Sequence, residues 1–278
     1  MIDQRRPIAG LACADWNPGG SPTVLALHGL TSTSEVWRAF AEALPQARVI
    51  APDLPGRGGS VDVRTGPGLA GHAAAVVRVA DELDLDDIVL VGHSMGAFLA
   101  PLVAAGLDAR VRRVVLLDGG VAPERSAMMR RPVVRALFWL QTRVLTRRWR
   151  DVEAYVNAME RHAIVNRPDL RPRLLEWADY MLAADPSGGV RARVDRRRLL
   201  DDAVDALTGP ATLPALAGLP MPVHLIVAAH GKDDRAKPFI SDASLAAGQA
   251  ALPRLTAERV AGNHLTMLFD PAVAAATK

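Results

Sequence analysis

A chain of 278 residues, half of them hydrophobic, can bury one full core with insertions, which excludes a small stapled scaffold and a largely disordered chain. Its single cysteine, Cys13, excludes an internal disulfide and leaves a cysteine-based metal site without support, and no apolar run reaches the length that spans a bilayer. The net charge of +3 is uneven: residues 121–205 hold 17 Arg and 12 acidic residues, a balance of +5, so the remainder carries 3 − 5 = −2.

In chain order, Met1 to Gly10 is polar and carries Arg5-Arg6 with no apolar stretch behind it, so no secretory leader is expected and the cytoplasm is the expected location. Ile8 to Trp16 is the one strand-like segment before the Asn17-Pro18-Gly19-Gly20 turn, which predicts a shortened antiparallel start to the sheet. Further strands are predicted at Thr23–Leu27, Val49–Ala51, Ile88–Val91, Val111–Leu117, Val223–Ala229 and Leu255–Val260. Ser32-Thr33-Ser34-Glu35 offers a capping box for a helix carrying Trp37 and Phe40, and Leu69–Leu83 reads as a second helix. A third follows Ser94 as far as Gly106, with Pro101 expected to kink it unless it lies close enough to the first turn to be tolerated. This alternation predicts a parallel sheet covered on both faces, with chemistry at the carboxyl ends of its strands. After His264 there is room for a single short helix.

Between Asp118 and Val223 the alternation stops. Val133, Val134, Leu137, Phe138, Leu140, Val144 and Leu145, with Trp139 and Trp149 nearby, predict an apolar face packed on the core, and Leu170–Leu182 with Trp177 a second one. The arginine runs at 130–131, 147–148 and 196–198 read as solvated faces, with steering of an anionic substrate or weak contact with an anionic surface as the functional readings. No nucleic-acid motif accompanies them, so no nucleic-acid partner is expected.

The most informative stretch is Ile88 to Ala97, where an apolar run delivers Gly92-His93-Ser94-Met95-Gly96 into a helical pattern. Glycines two residues to either side let a serine sit on a crowded turn between strand and helix, with its hydroxyl lifted above the sheet. Gly56, Gly58 and Gly59 lack the spacing of a nucleotide fingerprint, and no Lys-Ser/Thr pair follows them.

Four segments in order, LALHGLTS at 25–32, PDLPGRGGS at 52–60, GHSMG at 92–96 and AGNHLTML at 261–268, resemble the α/β-hydrolase superfamily of esterases, lipases and thioesterases across nearly the whole chain. The resemblance implies an α/β-hydrolase fold, a mostly parallel central sheet with helices on both faces and an inserted helical lid: core at 1–120 and 206–278, lid at 121–205. It implies Ser94 as nucleophile, His264 as its base, and backbone amides of Leu30 and Met95 as the oxyanion hole. For the acid, the family's Gly-x-x-Asp spacing selects Asp234 in His230-Gly231-Lys232-Asp233-Asp234. Asp233 competes through a one-residue shift of the turn, and Asp118, at the end of an earlier strand as in some relatives, is a further alternative. Of the other histidines, His28 and His93 belong to the motifs and His72, His162 and His224 to predicted helices or a strand; only His230 is placed to approach the site.

The resulting expectation is a serine hydrolase of a small-molecule carboxylic ester, with no metal and no organic cofactor. Thioester, lactone and C–C bond hydrolysis use the same machinery, and a small-molecule receptor on the same fold is the non-enzymatic alternative. Stable membrane insertion is not expected, and the sequence does not speak to oligomeric state.

Overall fold

The computed structural model describes residues 3–121, 130–161, 167–209, 211–252 and 254–277. His162 lies outside them. The chain runs β1 (Asp3–Ile8), β2 (Leu11–Trp16), β3 (Thr23–Leu27), α1 (Arg38–Ala43), β4 (Arg48–Pro52), α2 (Gly68–Glu82), β5 (Ile88–His93), α3 (Met95–Leu107) and β6 (Val111–Leu117). An insertion follows, with α4 (Arg131–Gln141), α5 (Arg143–Thr146), α6 (Val152–Arg161), α7 (Arg171–Met181), a β7 (Leu182–Ala184) and β8 (Val190–Ala192) hairpin, α8 (Arg196–Thr208) and α9 (Thr212–Gly218). The chain then returns to the sheet through β9 (Val223–Ala228), α10 (Asp242–Ala251), β10 (Leu255–Val260) and α11 (Pro271–Ala275).

Eight strands form one sheet in the order β1-β2-β4-β3-β5-β6-β9-β10. β1 and β2 are antiparallel, β2 joins β4 antiparallel, and the rest are parallel. The antiparallel start is therefore not shortened: Asp3–Trp16 is a two-strand hairpin edge, turned by Ala9 and Gly10 at φ 49° and 81°. The first strand escapes the sequence pattern because Gln4 to Pro7 lie exposed on the sheet edge and alternate with nothing. β5 is buried at all six positions, as a central parallel strand with helices on both faces must be.

One local expectation fails for an identifiable reason. The capping box does not form: Thr33 makes no side-chain cap, and Glu35 instead pairs with Arg5 and Arg38. The fully buried Asp53 carboxylate takes over, accepting from the Ser34 N–H at 2.7 Å, the Gly59 N–H at 2.7 Å and the Tyr180 hydroxyl at 2.6 Å. The third helix continues through Pro101 to Leu107 without a break.

In the insertion, α7 buries Leu174, Trp177, Ala178 and Met181, and Trp177 Nε1 donates to Ser32 Oγ at 3.2 Å, tying the insertion to the sheet's loops. The face expected on α4 and α5 does not exist as one surface. Val134 and Leu145 are buried and Phe138 is half-buried, whereas Val133, Leu137, Leu140 and Val144 are exposed, because α4 leans on α8 along only one side. In the triple at 196–198 only Arg197 is exposed; Arg196 lies over Trp139 and Arg198 donates to Thr65, so that run is not a solvated face. The α8 helix also runs past the expected boundary at 205 to Thr208. Among the described residues no helix is long and apolar enough to cross a membrane.

Candidate active site

Ser94 stands between the last residue of β5 and the first of α3 with φ 54° and ψ −116°, a conformation that costs a non-glycine residue roughly 1–3 kcal/mol. The neighbouring glycines are there for close approach. A Cβ on Gly92 would lie 2.2 Å from the Gly96 carbonyl oxygen, and one on Gly96 would lie 2.1 Å from that of Leu27. The Ser94 N–H donates to the Leu117 carbonyl at 2.9 Å, so the turn is fastened to the end of β6.

Asp118 is the residue that follows. It adopts φ 46°, its side chain is fully buried, and its Oδ1 accepts from the Ala228 N–H at 3.2 Å. Its Oδ2 lies 2.5 Å from His264 Nδ1. A carboxylate only accepts, so the proton is on Nδ1 and Nε2 is left as the basic nitrogen. His264 is fixed from three further sides. Its N–H donates to the Gly231 carbonyl at 2.9 Å, its carbonyl accepts from His93 Nε2 at 2.8 Å, and its ring packs 4.6 Å from His93 and edge-on to Phe239 at 4.7 Å. His93 immediately precedes Ser94, which brings the ends of β5, β6 and β10 to one point.

The carboxylate beside His264 is thus Asp118, a correction to the expectation of Asp234. The loop after β9 folds on itself: Asp233 Oδ1 accepts from the N–H groups of Arg235 and Ala236, and Asp234 Oδ1 accepts from Asn263 Nδ2 at 2.7 Å. Asn263 Oδ1 in turn accepts from the Leu265 and Thr266 N–H groups, so Asp234 braces the turn that carries His264 rather than its ring. His230 is exposed and sits one strand end away.

Met95 is the first residue of α3, where an N–H has no acceptor within its own helix. The Leu30 amide belongs to the Gly29–Leu30 peptide, whose carbonyl accepts from His28 Nδ1 at 2.8 Å, while His28 Nε2 accepts from the Leu54 N–H at 2.9 Å. Both ring nitrogens are satisfied in the neutral form, and burial brings the His28 pKa down to about 4. Arg57, also buried, donates to the Leu30 carbonyl at 3.1 Å and to the Pro55 carbonyl at 2.9 Å, and lies 3.7 Å from Met95 Sδ. Its charge is met by buried Asp202 of α8 at 2.5 Å, which also holds His72 Nε2 at 2.9 Å. Although burial works against it, His72 and Arg57 keep the Asp202 carboxyl below its ordinary range. Arg57, Asp202 and His72 were not selected from sequence. Arg57, one of two charged residues with Asp53 in the otherwise uncharged run 52–60, was the one available signal.

A cleft of about 860 Å³ between residues 64–70, α4 and α8 is lined in part by Asp202 but by neither Ser94 nor His264. Among the described residues no group of three or more His, Cys, Asp or Glu side chains is arranged to hold a metal ion.

A sequence profile described as the alpha/beta hydrolase family matches residues 24–277. The chain belongs to that family. As an alpha/beta hydrolase it is 34% identical over 122 residues to Lipase LipV of Mycobacterium tuberculosis, covering 44% of this chain and 46% of that protein. It is 33% identical over 107 residues to a putative 2-succinyl-6-hydroxy-2,4-cyclohexadiene-1-carboxylate synthase of Bacillus subtilis, covering 38% of this chain and 39% of that one. The chain thus aligns with less than half the length of these curated relatives. Among solved structures, E-2-(acetamidomethylene)succinate hydrolase matches with a TM-score of 0.79 at 24% identity, over 99% of this chain and 97% of that chain. The thioesterase domain from the curacin biosynthetic pathway matches at 0.74 and 22%, over 100% and 98%, and an esterase of Mycobacterium tuberculosis at 0.76 and 19%, over 99% and 90%. At these identities the structural likenesses establish the fold alone.

Proposed function

We propose that this alpha/beta hydrolase cleaves a small-molecule carboxylic ester through an acyl-enzyme on Ser94, with Asp118 rather than Asp234 as the acid of the triad. The observation that carries the reading is the His264 Nδ1 to Asp118 Oδ2 contact of 2.5 Å, which in the neutral ring makes Nε2 the accepting nitrogen at the strand end next to the Ser94 turn. His264 takes the Ser94 proton as Oγ bonds to the carbonyl carbon. The oxyanion is met by the Leu30 and Met95 amides, and the proton passes to the leaving alkoxide as the C–O bond breaks. Water, activated by the same nitrogen, then attacks the acyl carbon, and Ser94 leaves with its proton restored. Asp118 stabilises the transient imidazolium without itself taking a proton.

The half-exposed Phe239, edge-on to His264, offers an apolar wall to one side of the substrate. The segment at 121–205 serves as the lid, with α7 tied by Trp177 to Ser32 in the loop that follows Leu30 and by Tyr180 to Asp53 after β4. The test is turnover of p-nitrophenyl esters and acyl-CoA thioesters by wild type and Ser94→Ala. Oxyester hydrolysis is expected, reduced in the variant by roughly 10⁴-fold or more. A higher kcat/KM for thioesters would move the substrate class, and full turnover by Ser94→Ala would refute the reading.

A further inference from the structure

The exposed side of α4 and α5 carries two features that belong together. Val133, Leu137, Leu140 and Val144 are 40%, 43%, 60% and 37% exposed; the spacing of the first three puts them within roughly 60° of arc on one face of α4, and Val144 follows on α5. With Trp139, they are five of the six large hydrophobic side chains exposed among the described residues. Residues 130–150 also contain seven arginines, at 130, 131, 135, 143, 147, 148 and 150, and no acidic residue. Arg135 is answered by Asp201 and Arg150 by Asp151. Arg130, Arg131, Arg143 and Arg147 are exposed and meet no carboxylate among the described residues. The Trp139 ring lies against two guanidinium groups, Arg143 at 5.5 Å and Arg196 at 4.8 Å.

We propose that α4 and α5 form a docking surface for an anionic phospholipid leaflet, with Val133, Leu137, Leu140 and Val144 immersed at the headgroup boundary and Arg130, Arg143 and Arg147, rather than Arg131 and Arg135 that line the cleft against α8, paired with lipid phosphates. Charge selects this occupant. A second copy seated on the stripe through a twofold axis would set arginine against arginine with no acid within 130–150 to answer it. A phosphate-bearing lipid surface supplies both the apolar layer and the planar acceptors that guanidinium groups match. The helix lies along the surface rather than across it, since α4 has 11 residues and is far too short to span a bilayer. This docking is independent of the ester hydrolysis proposed for Ser94.

The experiment is flotation of the full chain with phosphatidylcholine vesicles, with and without phosphatidylglycerol, combined with Trp fluorescence and quenching by brominated lipid. Wild type is expected to float with the anionic vesicles, at least about tenfold more strongly than with phosphatidylcholine alone, and to be released by salt. Leu137→Asp with Leu140→Asp should weaken binding about tenfold or more, and Arg143→Glu with Arg147→Glu should do the same; Ser94→Ala should bind as wild type. Leu137, Leu140, Arg143 and Arg147 are exposed, and an unchanged thermal transition verifies folding of each variant. Equal binding to both vesicle types, no binding, or wild-type binding by the Leu137/Leu140 variant would overturn the proposal. So would a wild-type dimer in sedimentation equilibrium that the same variant converts to monomer, because a second copy then covers the stripe.

Discussion

Asp118→Asn and Asp234→Asn separate the two carboxylates cleanly. Asparagine tolerates the positive φ of Asp118, and its Oδ1 keeps the acceptor for the Ala228 N–H, so the backbone has no reason to move. What changes is the atom facing His264: an NH2 group donates where Oδ2 accepted at 2.5 Å. The ring must then accept at Nδ1 and carry its proton on Nε2, which makes it a donor toward Ser94 instead of a base. Loss of tautomer control in such a triad costs roughly 10⁴-fold in kcat, or about 5 kcal/mol of transition-state stabilisation. Asp234→Asn alters only the brace to Asn263 Nδ2, and one part-buried hydrogen bond of about 1 kcal/mol limits the loss to about tenfold. The assay is kcat on a p-nitrophenyl ester, with the thermal transition measured in parallel. A large loss in Asp234→Asn alongside a well-folded, active Asp118→Asn would refute the assignment.

Two stability predictions follow from the buried polar groups. Asp202→Leu strands the Arg57 guanidinium in the interior and should cost about 3–5 kcal/mol, read as a fall in the denaturation midpoint, whereas a neutral effect would mean that Arg57 reaches water or another acceptor. His28 is held neutral with a pKa of about 4, below its ordinary 6.5, so between these values the unfolded chain binds more protons than the folded one. Stability is therefore fully present above about pH 6.5 and lost as pH falls toward 4, by about 3 kcal/mol from His28 alone. His72 and His93, both also depressed by burial, act in the same direction. Urea midpoints across this range should fall with pH in wild type; a flat profile would mean these rings are charged or solvated in the fold.

The inner parallel strands were legible because each is a short, mostly buried apolar run, β5 at every position, and the elbow because its glycines answer to backbone contacts near 2 Å that no other residue survives. What escaped was set by partners distant in sequence. β1 is a charged edge whose only signature is its pairing with β2. The choice among Asp118, Asp233 and Asp234 depends on how the loop after β9 closes, with Asp233 capping its own turn and Asp234 captured by Asn263. Arg57 meets Asp202 across 145 positions, a pairing that no local pattern encodes. The stripe on α4 had the periodicity of a packed face, and periodicity alone does not distinguish a face turned to the core from one turned outward.

The central claim is that the Ser94 hydroxyl is activated as a nucleophile, and its most direct test is covalent capture. A fluorophosphonate should add to the folded protein in a one-to-one adduct that peptide mass mapping assigns to Ser94, with no adduct in Ser94→Ala and slowed labelling in Asp118→Asn. A folded wild type that takes up no label, or carries it on another residue, would contradict the account.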